Sequence, residues 1–186
     1  MFRKCILPVL LLLSVLVTAC ASTEHAAPSD DNTSTADVQQ NPSIIDAANV
    51  TPDEIIGMKK FVVMKGEEAL EFIKKTHVGE IKYVEDIAVL HYAGNDSFVV
   101  LWVTVYPSPE VAKNETEKMV ESMKKFGGIW AAVRPVKLGD VEAYRVPEKE
   151  HYFFAEGRYM VYIMPHGLSG DEIVRFVEEI YKCLKS

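Results

Sequence analysis

Phe98-Val99-Val100-Leu101-Trp102-Val103-Thr104-Val105-Tyr106 is the stretch from which the fold is read. β-Branched and aromatic side chains dominate it, the composition of a strand. Alternation places Val99, Leu101, Val103 and Val105 on one side and Phe98, Val100, Trp102, Thr104 and Tyr106 on the other. Both sides are apolar. Such a strand is either central and covered on both faces, or it offers its second face as an aromatic platform for a ligand or partner. Tyr159 to Met164 repeats the pattern, with Met160, Tyr162 and Met164 opposite Tyr159, Val161 and Ile163. Phe98, Trp102, Tyr106, Met160 and Tyr162 are therefore the candidate ligand or partner surface.

Working outward, residues 80–92 have the same strand composition, and Ala93-Gly94-Asn95-Asp96 joins the two runs as a hairpin. Further upstream, Thr51-Pro52-Asp53-Glu54 reads as a capping box that opens a short helix. Phe61 to Met64 reads as a strand, and Gly66 to His77 as a helix with Ala69, Leu70 and Ile73 on one face. Downstream, Ser108-Pro109-Glu110 starts a helix striped by Ala112, Thr116, Met119, Met123 and Phe126, which Gly127-Gly128 ends. Four more strands are expected at Ile129 to Leu138, Val141 to Val146, His151 to Ala155 and Arg158 to Met164. Ser169 and Glu172 then cap a final helix whose apolar face is Ile173, Phe176, Val177, Ile180 and Leu184.

The expected fold is α+β, a largely antiparallel sheet with helices packed on one face. The order also suits a duplicated strand–strand–helix unit, with His91-Tyr92 in the first hairpin and His151-Tyr152 in the second.

The N-terminus carries an address. Arg3 and Lys4 precede an apolar run, and Val17-Thr18-Ala19-Cys20 closes it. Ile6 to Ala19 is 14 residues, short of the about 20 that a spanning helix needs. Residues 1–20 resemble the signal peptide of prokaryotic lipoproteins. That resemblance implies cleavage before Cys20, a diacylglycerol on its thiol and acylation of the new amino terminus, so that more than one chain holds the membrane. It divides the chain into a signal peptide (1–19), a lipidated N-terminus and tether (20–43) and one globular domain (44–186). Residues 21–43 are mostly Ser, Thr, Asp, Asn, Gln, Ala and Pro with almost no large apolar side chain, a composition suited to a flexible tether reaching about 25 Å. Loss of Cys5 and acylation of Cys20 leave one cysteine, Cys183, too few for an intramolecular disulfide. The domain must rely on its core. Beyond the signal, the chain loosely resembles small archaeal exported proteins, with no motif from which residues carry over.

Without Arg3 and Lys4 the chain has 18 basic against 27 acidic residues, a formal charge of −9. That argues against nucleic acid and against lying flat on anionic lipid, which leaves the N-terminal lipid as the membrane contact. Four of five asparagines, Asn32, Asn49, Asn95 and Asn114, stand in N-x-Ser/Thr. Asn49 is the weakest because Pro52 follows; Asn32, Asn95 and Asn114 are the candidate glycosylation sites, a pattern that suits a cell surface.

Motifs for chemistry are missing: no H-E-x-x-H, paired C-x-x-C, G-x-S-x-G or phosphate loop occurs. No catalytic residue, metal ligand or cofactor is expected. A site assembled from His91 and His151 would require their strands to be neighbours. Glu115, Glu117 and Glu121 stand among lysines and read as a solvated helix face. The expectation is a membrane-anchored extracytoplasmic lipoprotein that acts as a non-catalytic binding or cell-surface assembly module, its partner a cell-surface protein or an apolar ligand. The alternative is a lipoprotein carrier or chaperone with a pocket for an apolar ligand, and an enzyme ranks third.

Overall fold

The structure is a computed structural model that describes residues 46–77 and 79–185. These lie within one compact unit, Asn41–Ser186. Cys20, Asn32, the signal segment and the tether lie outside the described residues.

The strands are β1 (Glu54–Ile55), β2 (Met58–Lys65), β3 (Asp86–Ala93), β4 (Phe98–Val105), β5 (Arg134–Leu138), β6 (Val141–Val146), β7 (His151–Glu156) and β8 (Tyr159–His166). The helices are α1 (Gly66–Thr76), α2 (Pro109–Phe126) and α3 (Gly170–Lys185). All eight strands form one sheet in the order β1-β2-β3-β4-β8-β7-β6-β5, with every neighbouring pair antiparallel. The fold is α+β. It is two meanders laid side by side and joined where β4 meets β8 over its full length, Phe98 opposite His166 and Val105 opposite Tyr159.

β4 and β8 are thus the central strands, and the two apolar faces of each require two covers. One face packs Leu101, Val103, Val161 and Ile163 against Phe176, Val177 and Ile180 of α3. Tyr92 and Phe176 meet edge to face there, with centroids 5.3 Å apart. The same face is completed by the segment before β2, through Ala47, Ala48, Ile55 and Met58. The opposite face is covered by α1, through Ala69 and Ile73 on Ile87 and Val89, and by α2, through Met119, Val120 and Met123 on Phe153 and Tyr162.

The helices therefore divide between both faces, which corrects the one-sided arrangement expected from sequence. Eight strands span about 35–40 Å at 4.7–4.9 Å each, and a helix covers only about 10 Å. Helices gathered on one face would leave the apolar second face of β4 and β8 in water. The strand–strand–helix unit does occur twice, as β3-β4-α2 and β7-β8-α3. Its helices go to opposite faces, so the two copies do not superpose as a simple repeat.

Two local expectations also change. Thr51 to Glu54 opens no helix. Tyr92 Oη donates to the Pro52 carbonyl at 2.5 Å and lies 2.9 Å from Thr51 Oγ1, while the nearly buried Lys60 ammonium donates to the Ala48 and Thr51 carbonyls and pairs with Asp53. These bonds occupy the groups a helix would have used. Ile55 and Met58 then pair across a two-residue turn in which Ile56 and Gly57 both have positive φ, the geometry that matches strand twist in a hairpin. Second, Gly128–Ala132 is a 3-10 turn, and β5 starts only at Arg134. Gly127 and Gly128, with φ of +84° and +59°, reverse the chain sharply enough to fold Ile129 and Trp130 back beside α2.

The other helix signals behave as the sequence indicates. Ser108 Oγ accepts from Val111 N–H at 3.2 Å. Ser169 Oγ accepts from Glu172 N–H at 3.4 Å while Ser169 N–H donates to the Glu172 carboxylate at 2.8 Å, a reciprocal capping box. Ser169→Ala is expected to cost about 1 kcal/mol, read as a lower urea midpoint with unchanged slope.

Candidate functional site

Helix α1 lies over β3, and α2 lies over β8 and β7. Those positions are two to three strand spacings apart, about 10–14 Å, beyond the 8–10 Å at which helices pack in contact. The sheet between them, chiefly β4 with Trp102 and Thr104, forms the floor of a cleft.

The cleft has two lobes that share Trp102, Tyr162 and His77. The first, about 50 Å³, is lined on its polar side by Thr104, Tyr106, Glu115, Lys118 and Ser122. The second, about 90 Å³, is bounded by Trp130, His151, Phe126, Met123 and Met164 in addition to the shared residues.

Register builds the floor. Trp102 stands opposite Tyr162, Tyr162 opposite Phe153, and Phe153 opposite Tyr144 on four adjacent strands. Their rings stack in sequence at centroid distances of 5.4, 5.5 and 5.3 Å. Each such pair contributes about 0.5–1.5 kcal/mol beyond its buried area, so the floor is stiff. His151 packs edge-on against Tyr162 and lies 6.2 Å from the Trp130 ring; its Nδ1 is hydrogen-bonded to Tyr162 Oη at 2.9 Å.

Among the described residues, three buried side-chain nitrogens have no hydrogen-bond partner in the protein, and two of them, Trp102 Nε1 and His77 Nδ1, belong to residues lining this cleft. A buried polar group left unsatisfied costs about 1–3 kcal/mol. Burial lowers the His77 imidazole below its ordinary value, offset only in part by the Gly79 backbone. Burial, helped by Lys149 and His166, lowers His151 to about 4, and burial raises the Tyr162 phenol. Both imidazoles are neutral at pH 7.

These shifts carry a stability consequence. The folded pKa of His151 lies below its ordinary 6.5, so its contribution is complete above about pH 6.5 and is lost as pH falls toward 4. Allowing for its part-exposed position, the loss is about 1–2 kcal/mol, and His77 adds with the same sign. Urea midpoints measured from pH 7.5 to 4.5 should fall, and His151→Gln should flatten that fall.

Of the residues singled out from sequence, Trp102, Tyr106, Met160 and Tyr162 line the cleft. Phe98 does not; it sits at the far end of β4, exposed and stacked on His166 at 4.2 Å. Asn95 and Asn114 are exposed, in the β3–β4 turn and on α2. The solvated-face reading fails for Glu115, whose side chain is 9% exposed and paired with Lys118 at 2.6 Å inside the first lobe. His91 and His151 cannot share a ligand, since β4 and β8 separate their strands by about 14 Å. No group of three or more His, Cys, Asp or Glu suited to a metal stands together among the described residues. Cys183 is half-buried with its thiol pushed up by burial.

Sequence reasoning missed His77, Trp130 and His151 as members of one site. Gly127-Gly128 ahead of Trp130 was the available signal, because two consecutive glycines allow the chain to return upon the helix it has just left. No protein-family model matches the chain, and no curated protein or solved structure matches it significantly.

Proposed function

We propose that this chain is a lipid-anchored extracytoplasmic binding protein that holds a small, largely apolar ligand in the α1–α2 cleft without catalysis. One observation carries the reading: two cavities converge on Trp102, Tyr162 and His77, where two buried nitrogens lack partners within the protein. Apolar walls with a few unsatisfied polar groups are the usual make-up of a small-molecule site. The Cys20 signal supports anchoring through lipid, and no helix among the described residues is long and apolar enough to cross a membrane. The missing motifs for nucleophilic, metal and phosphate chemistry favour binding over turnover.

A second reading, a module that assembles with another cell-surface protein, is favoured by Phe61, Val62 and Val63, consecutive exposed residues on β2. Beyond Lys60, among the described residues, that strand has a partner on one side only, the kind of edge that recruits other chains.

Native mass spectrometry of the full-length protein, extracted gently from its own membranes, separates these readings. The expected spectrum has an acyl-modified Cys20 and one small molecule released on activation. A second chain in place of the small molecule supports assembly instead. An unmodified Cys20 with no adduct overturns both the anchor and the carrier.

A further inference from the structure

The larger lobe of the cleft has an unusual chemistry for an apolar pocket. Its walls are mainly aromatic, with Met123 and Met164 between the rings: Trp102 and Tyr162 form the floor, Trp130 and His151 one wall, and Phe126 the rim. The ring planes differ, with Trp130 tilted 53° to His151 and His151 near perpendicular to Tyr162. Aromatic faces carry negative electrostatic potential and attract cations, most strongly where water is excluded.

The charge distribution agrees. Among the described residues, no Lys or Arg lines this lobe. The carboxyl end of α1, at Thr76 and His77, borders it and contributes the partial negative charge of a helix C-terminus. In the adjoining lobe Glu115 is paired with Lys118 at 2.6 Å, so the two together add no net charge. The two histidines add no positive charge at neutral pH. An anion finds no counter-charge in the larger lobe.

Resting on the binding reading above, we infer that the cleft takes a compact quaternary ammonium solute bearing an oxygen, of the choline kind. The trimethylammonium sits among Trp102, Trp130 and Phe126. A quaternary ammonium has no hydrogen to donate, so an aromatic enclosure lacking a hydrogen-bonded acid suits it better than a primary amine. Lobes of about 90 and 50 Å³ accommodate a head group and its short substituent rather than an acyl chain.

The test is calorimetric titration of the full-length protein in a maltoside detergent with choline chloride and with its neutral isostere 3,3-dimethyl-1-butanol. Choline is expected to bind at least tenfold more tightly. Trp130→Phe should keep most of that affinity, while Phe126→Ala, a change at an exposed position, should lower it several-fold without altering the urea midpoint. Equal or tighter binding of the isostere overturns the cation assignment and leaves the carrier reading standing. A short-chain phosphatidylcholine that binds more tightly than choline overturns the free-solute assignment in favour of a lipid head group. No heat with any of the three overturns the inference, and the mass-spectrometric result then decides the carrier reading separately.

Discussion

Phe176→Ala is expected to destabilise the domain by about 3–5 kcal/mol, the range for truncating a buried aromatic. The ring is 1% exposed and touches Tyr92 edge to face. Tyr92 in turn holds the Thr51–Pro52 segment by its hydroxyl, so the cavity opens where α3, the centre of the sheet and the N-terminal strap meet. Collapse into it would require moving β3, which is paired along both sides. The cost should therefore sit at the upper end of the range. For a domain of this size total stability is about 5–15 kcal/mol, so the variant should lose about a third of it or more and melt far earlier. Urea unfolding followed by far-UV circular dichroism reads the change directly. A loss under about 1.5 kcal/mol would mean that α3 does not cover this face as described.

Trp102→Ala is expected to abolish choline binding while the domain still unfolds cooperatively. Trp102 is only partly buried, between the cluster under α1 and the cluster under α2, so its truncation should cost about 2–3 kcal/mol, below a fully buried tryptophan. Trp102→Phe separates packing from the stronger cation affinity of an indole face. It keeps a ring against Tyr162 and removes the unpartnered N–H. Its stability should stay within about 1 kcal/mol of the parent, because the lost area is offset by removal of a buried unsatisfied donor. Its affinity for choline should fall a few-fold, less than in Trp102→Ala, because a phenyl face attracts a cation more weakly than an indole. If both variants bind choline as the parent does, Trp102 belongs to the core alone. If Trp102→Phe loses as much stability as Trp102→Ala, the ring is packed more tightly than the cleft allows.

The sequence was most legible where structure is local. The Gly94-Asn95 turn, the Ser108 and Ser169 caps and the face of α3 follow from neighbours within four residues, and each appears in the structure where its signal stands. Trp102, Tyr106, Met160 and Tyr162 were legible as a group because alternation along two strands exposes them together. Thr51 to Glu54 misled because a capping box is a local preference of about 1 kcal/mol. Here the Tyr92 hydroxyl and the Lys60 ammonium, 41 and 9 residues from Thr51, claim the same groups. Ile129 to Val133 misled because a short apolar run suits a strand or a tight turn equally.

By itself the sequence determined the antiparallel α+β character, the turns and caps, the apolarity of both faces of β4 and β8, and an N-terminal segment that resembles a lipoprotein signal. Those properties arise from side-chain alternation and from bonds between near neighbours. Only the tertiary structure decided that β4 pairs with β8 some sixty residues away, that α1 and α2 share one face while α3 takes the other, and that His77, Trp130 and His151 gather around Trp102 and Tyr162. Strand pairing between distant segments is chosen by the burial of whole faces at once, a global free energy that no short stretch of chain encodes.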